Sequence, residues 1–215
     1  DISGLKDLPL KKLYLSKNMI TDFSVLPDLI DLDILCIMEN PAEDLSPVGE
    51  CTGISRLNIQ GMNLEDIDFL KNLKLDYLDM SNAEIKNNIF EPLAEMKKLD
   101  TLCMCDINEA AAETLSKLST LKALFMWGDS TELENLKPLK GMEELDTLAF
   151  TTQISSLEGI EQFPSLNFLS VSFSLVKDLS PITGAENLQT IDISNAEIEN
   201  YEPLLECTGL KEVRC

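Results

Sequence analysis

The chain has 215 residues, of which 44% are apolar, so it can bury a core within one or two domains. Its 17 basic and 38 acidic residues give a formal net charge of -21, with acidic residues spread along the whole length. Such a surface repels nucleic-acid phosphates and anionic lipid headgroups, so we expect neither nucleic-acid binding nor direct insertion into a membrane.

Histidine is absent from the chain. Without imidazole there is no Ser-His or Cys-His nucleophile pair and no His-ligated metal site. We therefore expect that the protein is not an enzyme and needs no cofactor.

Ten apolar pairs of the form L-x-L recur along the chain, and their first residues are 22, 22, 21, 24, 22, 24, 21, 22 and 22 positions apart. Alternating apolar residues predict a strand with one buried face, and apolar steps of three before each pair predict a short 3₁₀ or helical turn. Such a small unit cannot bury its own apolar face, so neighbouring repeats must stack. The pairs begin at Leu13, Leu35, Leu57, Leu78, Leu102, Leu124, Leu148, Leu169, Ile191 and Val213.

The predicted fold class is α/β, a horseshoe-shaped solenoid with a single parallel sheet on its concave face and short 3₁₀ or helical turns on its convex face. Residues 1–215 are expected to form one solenoid of about nine to ten repeats of 21–24 residues. Residues 1–9 supply only half a repeat and the chain stops inside a strand. We therefore expect either a fragment of a longer protein or a last strand that a partner chain covers. The pairs from Leu13 and Leu15 to Val213 should be buried.

Three irregular segments are predicted within the repeats. Two extra residues are inserted around KNNIFEPL, residues 86–93, and around GDSTEL, residues 128–133. The segment NEAAAETLSKL, residues 108–118, predicts an α-helical turn on the convex side that begins at Asn108.

Residues 10–29, LKKLYLSKNMITDFSVLPDL, follow the pattern L-x-x-L-x-L-x-x-N-x-I, so the chain resembles leucine-rich repeat proteins over essentially its entire length. The convex segments at 42–48, 133–139, 176–182 and 198–204 resemble the I-x-D-L-x-P-L of the internalin-like subclass. There, Asp or Asn caps the turn and Pro occupies its first position. The asparagine of the pattern is present at Asn18 and Asn40, and the other bends need other hydrogen-bond partners.

The internalin-like resemblance implies a bacterial surface protein that binds a host or cell-wall partner. It favours a surface or secreted location in an anaerobe, because the six cysteines are predicted to remain thiols. A reducing cytoplasm is the alternative.

The single tryptophan, Trp127, is predicted on the concave face. If Leu124 and Met126 point into the core, then Phe125 and Trp127 point the other way from the same strand. In-register stacking would add neighbours about 4.8 Å away per strand step. The expected partner-binding patch comprises Tyr77, Asp79, Cys103, Cys105, Phe125, Trp127, Thr151 and Phe168.

Acidic residues are expected around this patch, at Asp79, Asp106 and Asp129. They favour a protein partner that presents a basic patch. Exposed aromatic residues on such folds can also be incidental, or can be covered by a segment outside this sequence.

The cysteines are expected to be structural. Cys51, Cys207 and Cys215 occupy core positions of the repeat, and Cys36 is too far from Cys103 to form a disulfide. Cys103 and Cys105 lie two apart on one strand, a geometry poorly suited to a disulfide, and a thiolate metal site there is disfavoured because only aspartates are near. We expect no metal.

Three functional classes remain, and an enzyme is the least favoured because no nucleophile can be matched with a base. A protein-interaction module would bind its partner on the concave sheet, which is about 43 Å long for ten strands. The alternative is a structural spacer within a larger protein, with nothing bound on that face. Either could be a monomer or could associate through the edge of its sheet.

Overall fold

The computed structural model describes residues 1–86, 89–105, 107–128, 132–151 and 153–215. The chain forms two compact units, unit 1 (Asp1–Met104) and unit 2 (Cys105–Cys215). A single solenoid over residues 1–215 stays a prediction. Both predicted insertions include residues outside the described ranges.

Unit 1 is built on a parallel sheet to which each repeat contributes one strand. The register aligns the apolar pairs, so that Leu13 lies opposite Leu35 and Leu57 opposite Leu78. The strands are β1 (Lys12–Tyr14), β2 (Ile34–Cys36), β3 (Arg56–Asn58), β5 (Tyr77–Asp79) and β7 (Thr101–Met104), and a separate parallel pair is formed by β4 (Asn63–Leu64) and β6 (Glu84–Ile85). The returning segments contain helix α1 (Ser46–Gly49) and 3₁₀ turns at Ser3–Leu5, Leu26–Asp28, Asp68–Asn72 and Glu91–Glu95.

Unit 2 repeats the same construction. Its strands also pair in parallel and in register, with Leu124 opposite Leu148 and Leu169 opposite Ile191. The strands are β8 (Ala123–Trp127), β9 (Thr147–Thr151), β10 (Phe168–Ser170), β11 (Thr190–Asp192) and β12 (Glu212–Arg214). The returning segments contain helix α2 (Glu109–Leu115) and 3₁₀ turns at Ile160–Gln162, Ser180–Ile182 and Glu202–Glu206. The predicted fold class, an α/β leucine-rich repeat solenoid with a parallel sheet, is confirmed.

The alternation of side chains along β8 shows how each strand is divided between core and surface. Leu124 and Met126 are fully buried, whereas Ala123, Phe125 and Trp127 are half-buried on the opposite side. Full burial of a leucine or methionine contributes about 1.5–3 kcal/mol. The half-buried residues on the opposite side are not needed to fill the core. We call this side of each unit the open face.

The convex turns follow the predicted capping chemistry. Asn108 precedes α2 and its side-chain oxygen accepts a hydrogen bond from the backbone N–H of Ala111 at 2.8 Å, as expected for an N-cap. In the internalin-like turns, an Asp or Asn side chain accepts from the backbone N–H two residues later. These bonds are made by Asp44 (2.8 Å), Asn135 (3.0 Å), Asp178 (2.8 Å) and Asn200 (2.9 Å).

The bends after the strands satisfy their buried backbone groups in different ways. In unit 1 the buried Asn40 donates from Nδ2 to the carbonyls of Leu15 and Ile37, both at 2.9 Å, and accepts from the Ile20 N–H at 3.1 Å. In unit 2 the buried Ser174 donates to the Val171 carbonyl at 2.6 Å and accepts from the Val176 N–H at 3.3 Å. A serine thus replaces the missing asparagine at this bend.

Three core predictions are wrong at particular positions. Leu15 is only half-buried, and Val213 is 41% exposed. Val213 lies on β12, which pairs with β11 along one edge, and no described strand covers its other side. The same reason leaves Cys215 exposed, whereas Cys51 and Cys207 are buried as predicted.

The cysteines are present as thiols. Burial, followed by the charge of Glu50, raises the pKa of the Cys51 thiol to about 11, so that thiol stays protonated at neutral pH. Among the residues that the structure describes, no helix is both long and apolar enough to cross a membrane.

Candidate functional site

The aromatic pair predicted at the centre of the site lies on the open face of unit 2. Phe125 and Trp127 are both half-buried, and their ring centroids are 5.8 Å apart with an interplanar angle of 22°. Alternate residues of a strand lie on the same face about 6–7 Å apart, which allows their rings to stack. The pair therefore forms one rigid apolar ridge.

The neighbouring strand is flat beside this ridge. Phe125 lies opposite Ala149 and Trp127 lies opposite Thr151. Ala149 is buried and Thr151 is half-buried. Small side chains of β9 thus lie beside the aromatic pair.

Gly128 ends the strand immediately after Trp127, with a φ of 145° that favours glycine. The residues that follow the corresponding strand positions elsewhere also have positive φ, including Lys17 (56°), Asn82 (54°) and Phe173 (60°). Phe173 is unusual among them because it is aromatic and 67% exposed. Phe173 was not among the predicted site residues, although its place in the repeat indicates an exposed position.

Phe168, predicted as a flank, lies two strands away from β8 and opposite Thr147 and Thr190. The Arg214 guanidinium carbon lies 5.6 Å from the centre of its ring, and Arg214 also pairs with Glu212 at 3.0 Å. The Glu212 carboxylate is the first cause of the raised pKa of Arg214. The positive charge of Arg214 is therefore already paired with a carboxylate of the same chain.

The remaining candidates, Tyr77, Asp79 and Cys103, lie on the open face of unit 1. Cys103 is opposite Asp79 in the register and its thiol is 3.9 Å from the Tyr77 hydroxyl, to which it donates. Cys103 is only 8% exposed, so the expectation that it adds apolar surface to an exposed patch is wrong for this side chain. Burial, then the neighbouring Cys103 and Asp79, raises the pKa of the Tyr77 hydroxyl, which stays neutral.

Asp79 is held by its own unit. Its carboxylate accepts from Asn58 Nδ2 at 3.1 Å and from the backbone N–H of Ser81 at 3.0 Å. It is half-buried and keeps its remaining lone pairs for a partner. Asp106 and Asp129, the other predicted acidic neighbours, lie outside the described residues.

Some predicted neighbours stay predictions. Cys105 is half-buried, but its predicted place beside Trp127 is an expectation only, and so is the place of Cys103 beside Phe125. No group of three or more potential metal-ligating side chains comes together within the described ranges.

Tyr77, an expected member of the patch, makes a contact with Arg56 that the sequence did not predict. The Arg56 guanidinium carbon lies 4.6 Å from the centre of the Tyr77 ring. Arg56 is exposed, and Tyr14, two strands away from it, is 64% exposed. The strand register alone could have placed Tyr14, Arg56 and Tyr77 on one face. It could not predict that the Arg56 guanidinium lies over the Tyr77 ring.

No protein-family model matches the chain. Its structure is similar to that of an internalin, InlF, from Listeria monocytogenes, with a TM-score of 0.79 and 25% identity over 99% of this chain and 63% of InlF. Internalin C2 from the same species gives a TM-score of 0.69 and 22% identity over 92% of this chain and 86% of that protein.

The Arabidopsis receptor kinase HAESA, solved with the peptide hormone IDA and the co-receptor SERK1, gives a TM-score of 0.71 and 20% identity over 96% of this chain and 38% of HAESA. The chain spans less than two thirds of the length of InlF, the first of these similar proteins. These similarities confirm the internalin-like leucine-rich repeat fold that the sequence pattern predicted.

Proposed function

We propose that the protein is a non-enzymatic protein-binding module whose partner contacts the open face of unit 2 at Phe125 and Trp127. The observation that carries this proposal is the stacked pair itself. Both rings are half-exposed, while Leu124 and Met126 of the same strand make the core contacts. The pair is not required to complete the core.

The physical reason is the chemistry of large aromatic side chains at interfaces. A rigid ring buries much apolar area when a partner covers it and loses few rotamers. Tryptophan is accordingly enriched among the residues that dominate binding energy. Thr151 beside Trp127 offers a hydroxyl to the same partner, and Cys105 and Phe168 are the proposed limits of the patch.

The class of partner follows from charge and from similarity. The net charge of -21 favours a protein with a basic patch and disfavours nucleic acid. HAESA, with the same fold, was solved with a bound peptide hormone, which supports a polypeptide ligand.

A surface or secreted location is part of the proposal, supported by the similarity to internalins. The exposed thiol of Cys215 and the half-buried thiol of Cys36 agree with an anaerobic habitat. A reducing cytoplasm remains the alternative location.

The test is Trp127→Ala. The protein captured by the wild-type chain is purified, and its affinity for wild type and variant is measured by calorimetry. We expect a loss of about 2 kcal/mol or more, roughly 30-fold in Kd, if Trp127 is a hot spot. The thermal melting temperature should change little because the indole is half-exposed.

The matched control is Tyr201→Ala, which removes an aromatic ring that is 52% exposed and lies outside the sheet. It should leave affinity unchanged. Equal affinities for wild type and Trp127→Ala would instead favour the structural spacer, and a large fall in melting temperature would assign Trp127 to the core.

A further inference from the structure

The open face of unit 1 contains a depression of about 320 Å³ across β1, β2, β3 and β5. Two tyrosines stand at its ends, Tyr14 on β1 and Tyr77 on β5. The strand between Tyr14 and Arg56 presents the smaller Ile34 and Cys36, which form the floor. The depression exists because large side chains flank small ones on adjacent strands.

Arg56 is the cationic group at this depression. Its guanidinium lies against the face of Tyr77, at 4.6 Å from the ring centre, and no ion pair involves it within the part of the chain that the structure describes. A guanidinium over an aromatic face has five N–H donors, and the ring accepts no conventional hydrogen bond from most of them. Two of these N–H groups side by side match the two oxygens of a carboxylate.

The absence of an internal partner is notable because acidic residues outnumber basic residues 38 to 17. Asp79 is the acidic neighbour on β5, and its carboxylate accepts hydrogen bonds from Asn58 and the Ser81 backbone instead. In unit 2 the comparable arginine, Arg214 above Phe168, is paired with Glu212. Both arginines thus lie over an aromatic ring, but only Arg214 is paired with a carboxylate within the described residues.

We propose that this depression binds an acidic side chain, Asp or Glu, from an extended segment of a partner protein. Arg56 donates two hydrogen bonds to the carboxylate, and the apolar side chain two residues away, which lies on the same side of the extended segment, contacts Tyr14 above Cys36. Three strand steps separate Tyr14 from Tyr77, roughly 14 Å, which about four residues of an extended segment would span. The inference rests on the proposed function only in taking the open face as the contact surface.

The negative charge of the chain sets a further condition on this segment. Charges separated by more than about 8 Å are largely screened at physiological ionic strength. The nearest charged groups therefore set the local preference: Arg56, which lines the depression, and Asp79, whose carboxylate already accepts hydrogen bonds from Asn58 and the Ser81 backbone. Several acidic residues in the segment would still meet the acidic surface around the depression. The segment therefore carries a single acidic residue among neutral or basic ones.

Two acetylated and amidated tetrapeptides test the proposal. Both contain a leucine and, two residues later, one variable residue, with glycine at the other two positions, and the variable residue is glutamate in one and glutamine in the other. Each is titrated into the isotope-labelled chain, and the NMR signals of the Arg56 Nε–H and the tyrosine rings are followed. We expect saturable shifts for the glutamate peptide with a Kd on the order of 1 mM, and at least about 10-fold weaker binding of the glutamine peptide.

Arg56→Gln should remove the preference for glutamate, and Arg56→Lys should reduce it severalfold because an ammonium cannot make the paired contact. Arg214→Gln is the matched control and should leave the preference unchanged. Thermal melting checks that each variant is folded, as expected for exposed side chains.

Equal affinity of the two peptides for the wild-type chain would overturn the proposal. So would a glutamate preference that survives in Arg56→Gln or disappears in Arg214→Gln. Trp127→Ala distinguishes this site from the proposed function, because the variant should lose the partner of unit 2 and keep the peptide preference of unit 1.

Discussion

The open faces of the two units have the same backbone arrangement and different chemistry. Unit 1 presents Arg56 over the ring of Tyr77, and Arg56 forms no ion pair with a described residue. Unit 2 presents the apolar pair Phe125 and Trp127, and its stacked arginine, Arg214, is neutralised by Glu212. The repeat constrains only the residues that face the core, so the alternate positions are available for different partners.

The two units differ in their open faces, but their cores should be destabilised equally by a cavity. Phe23 in unit 1 and Phe150 in unit 2 are both essentially inaccessible to solvent. Substitution of either by Ala should lower the free energy of unfolding by about 3–5 kcal/mol, because it removes buried area and leaves a cavity. Urea denaturation followed by circular dichroism measures the loss.

Phe173→Ala is the control for the core variants, since Phe173 is 67% exposed. Its cost should stay below about 1 kcal/mol. A similarly small cost for Phe150→Ala would contradict the assignment of that side chain to the core.

Substitutions at the bends should lower the free energy of unfolding by smaller amounts, which differ between the units. Asn40→Ala in unit 1 removes a buried amide that serves two carbonyls and one N–H, and should cost about 1–3 kcal/mol. Ser174→Ala in unit 2 removes a smaller group and should cost about 0.5–1.5 kcal/mol. Chemical denaturation of both variants under identical conditions gives the comparison.

Asn18→Ala serves as the reference for the bends, because Asn18 holds the same repeat position and is exposed. Its effect should be the smallest of the three. If Asn18→Ala and Asn40→Ala were equally destabilising, burial would not be the source of the cost.

The smallest effect is expected at the convex turns, where the units should behave alike. Hydrogen bonds from Ser24 lower the pKa of Asp22 in unit 1, with the backbone N–H first, and those from Ser180 lower the pKa of Asp178 in unit 2, with the hydroxyl first. Because both carboxyls have lower pKa values when folded, their contribution to stability is present above the unfolded pKa of about 3.9. It is lost as the pH falls through the folded values.

Carboxyl NMR titration of the folded chain should therefore give both residues lower midpoints than the same chain in urea. Midpoints equal to those of the unfolded chain would show that the turn hydrogen bonds do not favour the ionised form.

Local rules explain why much of the fold could be predicted from the sequence. The apolar pairs gave the strand register, and Asn108 before an alanine-rich segment gave the start of α2, because strand alternation and N-capping depend on residues a few positions apart. The same rules placed Phe125 and Trp127 opposite Leu124 and Met126. They could not find Arg56 over Tyr77, since that contact joins residues of consecutive repeats through side-chain rotamers.

The sequence by itself determined the repeat, its parallel strands and the side of β8 on which Trp127 lies. Only the tertiary structure decided that Cys103 is covered, that Asp79 is held by Asn58, and that Val213 on β12 is exposed. These outcomes depend on which side chains of neighbouring strands fill the space above a residue. Periodicity determines the direction in which a side chain points, whereas burial and pairing depend on the size and charge of neighbours about twenty positions away in the chain.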